Sequence, residues 1–197
     1  MASLLYIHGF NSSPQSHKAI VTGRWLARHY PEVDFLCPPL SLFPQAAMTS
    51  LEQVLSEQGD DVYLVGSSMG GFYATWLAQR HTCKAVLINP AVAPWRGRNY
   101  LLGEQINYHT GERCVFEQRH LEALQAFDVP CLKHPEQLRV LLQTGDEVLD
   151  YRLALEKYRA CETLVERGGD HSFQDFERHL PDIMAFFCGT NYQSARG

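Results

Sequence analysis

No stretch of this chain approaches the roughly 20 apolar residues of a membrane-spanning helix, so no span is expected. Its 17 Lys and Arg are outnumbered by 22 Asp and Glu, for a net charge of −5. The basic residues form no stripe, so no nucleic-acid partner is expected. There is no Cys-x-x-Cys pair and no histidine at zinc-finger spacing, which removes the common structural metal sites. Gly-x-Gly-x-x-Gly and Gly-Lys-Ser/Thr are both absent, and with them the case for a nucleotide-binding α/β protein. The N-terminus runs straight into Leu4-Leu5-Tyr6-Ile7. Neither a basic n-region nor a small-residue cleavage site precedes it, so no signal peptide is expected. Internal repeats, low-complexity tracts and signs of a second domain are also missing.

What is present is ordinary globular composition. Of 197 residues, 45% are hydrophobic and 20% charged, enough for a single domain, 1–197, with a substantial core. Six cysteines, Cys37, Cys83, Cys114, Cys131, Cys161 and Cys188, are scattered along it. A chain this well supplied with apolar residues does not need disulfides, so they read as free thiols of a cytoplasmic protein. None stands between a strand and a helix, which argues against a cysteine nucleophile.

The informative stretch is Val62 to Gly71. An apolar run ends in Gly66-Ser67-Ser68-Met69-Gly70-Gly71, and a helical pattern from Phe72 to Ala78 follows. Strand, tight turn and helix form the context in which Gly-x-Ser-x-Gly is a nucleophile elbow. A serine at the tip of such a turn has backbone close on both sides, so the residues two before and two after must be small. Gly66 and Gly70 meet that need for Ser68. Ser67 lacks glycines at both offsets and is a decoy.

The rest of the chain alternates. Strands are expected at Ser3–Ile7, Val33–Leu36, Val62–Gly66, Lys84–Asn89, Leu138–Gln143 and Glu162–Val165. Helices are expected from a cap at Ser12 or Ser13 to Tyr30, from Pro44 to Gln58, from Ser68 to His81 and from Asp150 to Ala160. A closing helix carries Phe176, Leu180, Ile183, Met184 and Phe187. This rhythm predicts an α/β fold with a six-stranded, mainly parallel sheet and helices on both faces. From about 91 to 137 the rhythm breaks. Pro94, Trp95, Gly97, Tyr100, Gly103, Tyr108, Gly111 and Phe116 mix turns with aromatics, and one helix is expected from Gln118 to Phe127. A long irregular segment inside a compact domain suggests a short cap, whose aromatics are either pocket wall or plain core.

A serine hydroxyl needs a base, and the base needs an acceptor that fixes its tautomer. In a parallel sheet these belong at the carboxyl ends of the strands. Asp146 follows the fifth strand and His171 the sixth. Glu147 and Asp150 compete with Asp146, but Asp150 reads as a helix cap and Asp170 as a turn residue. His8 reads as structural, and His29 and His81 as helix C-terminal cations. Lys18 and Arg24 read as solvated.

The order Ser68, Asp146, His171 is that of the α/β-hydrolases. The chain resembles the small bacterial YqiA-type esterases of that fold. It does so through His8-Gly9-Phe10-Asn11-Ser12-Ser13, Gly66 to Gly71, Thr144-Gly145-Asp146-Glu147-Val148 and Gly168-Gly169-Asp170-His171-Ser172-Phe173. The resemblance implies a compact α/β-hydrolase, with one departure: the usual fold has two strands before the oxyanion loop, and this chain starts at the equivalent of the third, so six strands in spatial order 2-1-3-4-5-6 are expected. It also implies a serine hydrolase acting on a small-molecule acyl ester, with acyl-CoA thioester hydrolysis as an alternative and a non-catalytic ligand-binding protein as a weaker one. It assigns the oxyanion donors to the backbone N–H groups of Met69 and Phe10, with Asn11 next in line. No metal or organic cofactor is implied, and the chain is expected to be a monomer or small homo-oligomer.

Overall fold

Along the central strands, apolar side chains alternate between two cores, as the pleat of a strand buried on both faces requires. Leu5, Ile7, Leu64, Leu87, Val140 and Leu142 enter one core. Leu4, Tyr6, Val65, Val86, Ile88 and Leu141 enter the other. The computed structural model describes residues 2–59, 61–96, 101–107 and 111–189. Gly97, Tyr100 and Tyr108, read above as part of the cap, lie outside the described residues.

The elements in chain order begin with β1 (Ser3–Ile7), α1 (His17–His29), β2 (Asp34–Leu36), α2 (Pro44–Gln58), β3 (Val62–Ser67), α3 (Met69–His81) and β4 (Ala85–Ile88). Then come β5 (Gly103–Ile106), β6 (Arg113–Phe116), α4 (Gln118–Ala126), β7 (Leu138–Gln143), α5 (Tyr151–Lys157), β8 (Glu162–Glu166) and α6 (Leu180–Cys188). The large sheet has the order β2-β1-β3-β4-β7-β8. All five of its pairings are parallel. This is the expected order of six strands with one hairpin inserted before the fifth. Residues of α2, α3 and α5 pack in the first core, and those of α1 and α6 in the second.

Three local expectations are corrected. The first helix opens at His17 rather than at Ser12 or Ser13. Ser13 Oγ accepts the N–H of Gln15 and Ser13 C=O accepts that of Ser16, so these residues close a turn before the helix begins. The closing α-helix starts at Leu180, with Pro181 in its first turn, and Phe176–His179 is a 3₁₀ turn leading into it. The segment from 91 to 137 is also more regular than expected, since it carries the antiparallel hairpin β5–β6 ahead of α4.

The sheet order changes direction at β1 and β3. Loops leaving their carboxyl ends part there and open a crevice, where α/β sheets place their sites. The loops after β1, β3, β7 and β8 carry Phe10, Ser68, Asp146 and His171.

Candidate active site

Ser68 occupies the tip between β3 and α3 with φ 57° and ψ −119°. A residue with a Cβ seldom adopts a positive φ, and such outliers gather at functional sites. The surroundings hold it there. A Cβ on Gly66 would strike the carbonyl of Gly70, and a Cβ on Gly70 would strike the carbonyl of Ile7 in β1. The Ser68 N–H donates to Ile88 C=O at 3.0 Å, and its own C=O accepts from Ala91 N–H at 3.0 Å. Ser67, by contrast, ends β3 and is buried.

His171 Nε2 lies 3.0 Å from Ser68 Oγ. On its other side, Nδ1 lies 3.0 and 2.9 Å from the two carboxylate oxygens of Asp146. The carboxylate is 1% exposed and the imidazole 23%. Burial pushes the Asp146 carboxyl up. Its hydrogen bonds with His171, Leu149 N–H and Val148 N–H, together with the nearby imidazole charge, outweigh that, so the net direction is down. Asp146 therefore stays ionised beside the ring. Glu147 has a different place, because its Oε2 accepts the backbone N–H of His171 at 3.0 Å. Asp150 caps α5, accepting the N–H of Arg152 at 3.0 Å.

The loop after β1 lies against the serine: a Cβ on Gly9 would sit 3.3 Å from that of Ser68. Asn11 in this loop has a left-handed φ of 55°. His8 is a strut, as expected. Its Nε2 accepts Leu40 N–H at 3.3 Å, which leaves the ring proton on Nδ1 to donate to Gly9 C=O at 3.0 Å. Met69 is the first residue of α3, where N–H groups have no carbonyl within the helix to bond. A narrow cleft with room for little more than a water molecule follows the loop, lined by Phe10, Asn11, Leu40, Leu42, Met69 and Tyr73 among others.

The inserted hairpin braces the same loop. Asn11 Nδ2 donates to Gln105 Oε1 at 3.4 Å, Asn107 Nδ2 to Ser12 C=O at 3.1 Å, and Phe116 meets Phe10 edge-on at 5.7 Å. Trp95 packs edge-on against Phe72 at 5.9 Å and is not among the residues lining the cleft.

Lys18 is half-buried rather than fully solvated, and its Nζ donates to the C=O of Ser172, the residue after His171, at 2.6 Å. Burial pulls it down to about 8 against the opposing pull of Asp170 and Asp146. Arg24 is exposed. All six cysteines are unpaired, and burial pushes Cys37 up to about 12 and Cys83 and Cys161 to about 11, away from thiolate chemistry. Among the described residues no helix is long and apolar enough to cross a membrane, and no group of three His, Cys, Asp or Glu is placed to hold a metal. Sequence reading missed Asn89 and Gln143, and weighed Glu147 only as a rival to Asp146. The available signal for Asn89 and Gln143 was a polar amide ending an apolar strand.

The profile of the uncharacterised protein family UPF0227 matches residues 3–188. The chain belongs to the UPF0227 family. A UPF0227 protein of Shewanella woodyi is 24% identical over 194 residues, covering 94% of this chain and 99% of that one. Two solved structures extend the likeness beyond UPF0227. One is a proposed hydrolase of Agrobacterium vitis S4, with TM-score 0.76 and 21% identity, covering 94% of this chain and 88% of that one. The other is Est1E of Butyrivibrio proteoclasticus, solved with ferulic acid bound. It has TM-score 0.74 and 13% identity, covering 95% of this chain and 88% of that one. At these identities the likeness is one of fold, and this UPF0227 chain has the α/β-hydrolase fold.

Proposed function

We propose that this protein is a serine hydrolase that cleaves carboxylic esters through an acyl-enzyme. The reading rests on one observation: His171 bridges Ser68 Oγ at 3.0 Å and the Asp146 carboxylate at 2.9 Å. Ser68 Oγ attacks the ester carbonyl carbon while its proton passes to His171 Nε2. Asp146 holds the Nδ1 proton and stabilises the imidazolium. The carbonyl oxygen becomes an oxyanion, which takes the N–H groups of Phe10 and Met69. One such donor is worth about 10²–10³ in turnover. The intermediate collapses, the C–O bond to the alcohol breaks, and His171 returns the proton to the departing oxygen. A water molecule then repeats the cycle against acyl-Ser68 and frees the acid.

The residues between β4 and β7 act in this reading as a short cap over the Ser68 crevice. The test is labelling with a fluorophosphonate, followed by a screen of acyl esters and acyl-CoAs of graded chain length. Labelling of Ser68 with turnover of esters is the expected result. A wild-type protein that neither labels nor turns over any ester or thioester would sink the reading.

A further inference from the structure

Two primary amides in the interior bond to the loop that carries His171. Asn89 directly follows β4 and Gln143 ends β7. They are 2% and 3% exposed, among strands that are otherwise apolar. Asn89 Nδ2 donates to the carbonyls of Asp170 at 3.0 Å and His171 at 3.3 Å. Gln143 Oε1 accepts the N–H groups of Asp170 at 3.2 Å and Gln174 at 2.8 Å. Gln143 Nε2 donates to Gln174 C=O at 2.9 Å and to Glu166 Oε2 at 3.0 Å. The two residues are joined, since Asn89 Oδ1 accepts Gln143 N–H at 3.0 Å.

These bonds fix which end of each amide faces which group. Turning the Gln143 amide over would aim its NH₂ at two N–H donors and its oxygen at a carbonyl and a carboxylate. The loop has no regular secondary structure of its own and is held by bonds to its neighbours, among them Lys18 at Ser172 C=O and Thr144 Oγ1 at Gly168 N–H. Gly168, Gly169, Phe173 and Asp175 all have positive φ, and no regular element runs from Arg167 to Asp175. Gly169 is seated directly on Gln143, whose side-chain oxygen a Cβ there would strike.

We propose that Asn89 and Gln143 are positioning residues that clamp this loop and so aim His171 at Ser68. The proposal rests on the triad reading above. His171 must meet two partners at once, and misplacement by about 1 Å can cost roughly 10²-fold in rate. Ordinary stabilisation of the strand ends would be met as well by the apolar residues around them. Buried amides that bond only one another, the His171 loop and its neighbour Glu166 are the arrangement a geometric constraint calls for. Glu147 adds a third restraint at the His171 N–H.

Two variants test this. Asn89→Asp keeps the acceptor for Gln143 N–H and turns an oxygen toward two carbonyls. Gln143→Glu keeps its shape and an acceptor for the loop N–H groups but loses the donations to Gln174 and Glu166. Each is assayed well below its own melting temperature, alongside Tyr158→Phe, which removes the distant Thr75–Tyr158 hydrogen bond. Both clamp variants are expected to lose about 100-fold in kcat with KM within twofold. They are also expected to react about 100-fold more slowly with the fluorophosphonate and to lose the low-field proton resonance of the His171–Asp146 bond. Tyr158→Phe should keep all three. If one clamp variant does not fold, the other carries the measurement. Lowered melting temperatures with unchanged kcat and phosphonate rate would make the amides merely structural and overturn the proposal. A wild type that no phosphonate labels would instead fail the triad reading, and the clamp with it.

Discussion

Glu147 Oε2 accepts the backbone N–H of His171 at 3.0 Å, while Asp146, one residue earlier, holds the ring of the same histidine. Adjacent carboxylates thus serve one residue in two ways. Asp146→Asn should lower turnover by about 10⁴, because the imidazole would be left in the wrong tautomer. Glu147→Gln retains an acceptor for the N–H and should stay within about tenfold of wild type. Asp150→Asn keeps a good capping group and should leave kcat unchanged. Steady-state kinetics on one ester decides among them, and near-normal activity in Asp146→Asn would remove it from the triad.

The two serines of the elbow separate in the same way. Ser68→Ala should fold and lose essentially all ester turnover and all phosphonate labelling. Ser67→Ala changes a buried strand end and should keep most of both. Reversed effects would mean the wrong serine has been named.

Acyl preference should follow the cleft rather than the aromatics after β4. Leu40 and Leu42 line it, whereas Trp95 packs on Phe72. One methylene in an apolar pocket is worth ~1–3 kcal/mol. Leu40→Ala or Leu42→Ala should move the kcat/KM ratio of long to short acyl esters upward by at least about tenfold. Trp95→Ala should lower the melting temperature and leave that ratio in place. A ratio that moves in Trp95→Ala alone would return the pocket to the inserted segment.

Lys18 gives a pH signature. Its folded-state value is lowered from 10.5 to about 8, so between those two values the unfolded chain binds more protons than the folded one. Stability should then rise with pH across that window. Urea midpoints of wild type measured relative to Lys18→Met should climb from about pH 8 upward and level off near 10.5. Parallel curves for the two proteins would show that Lys18 is not buried as a cation.

Much of the architecture was legible because its causes are local. The continuous apolar runs Leu4–Ile7, Ala85–Ile88 and Val140–Leu142 announce strands buried on both faces, and the punctuation after such strands points to Ser68, Asp146 and His171. The hairpin was not legible. Gly103–Ile106 and Arg113–Phe116 are four residues each with mostly exposed side chains, so neither carries a clean alternation. The Lys18 contact and the role of Gln143 were not legible for another reason. Their partners lie 154 and 31 residues away, and only the folded sheet brings them together.

The backbone of Ser68, held at φ 57° and ψ −119°, has a consequence for how this protein can change. Conformations so thinly populated cost of order 1–3 kcal/mol in a residue with a Cβ. Glycine would relieve most of that cost and, in the proposed reading, remove the nucleophile. On that reading, laboratory selection for heat resistance alone would favour an inert molecule at this position. Any more thermostable descendant that still reacts must find its gain elsewhere, in surfaces and helix ends remote from the turn.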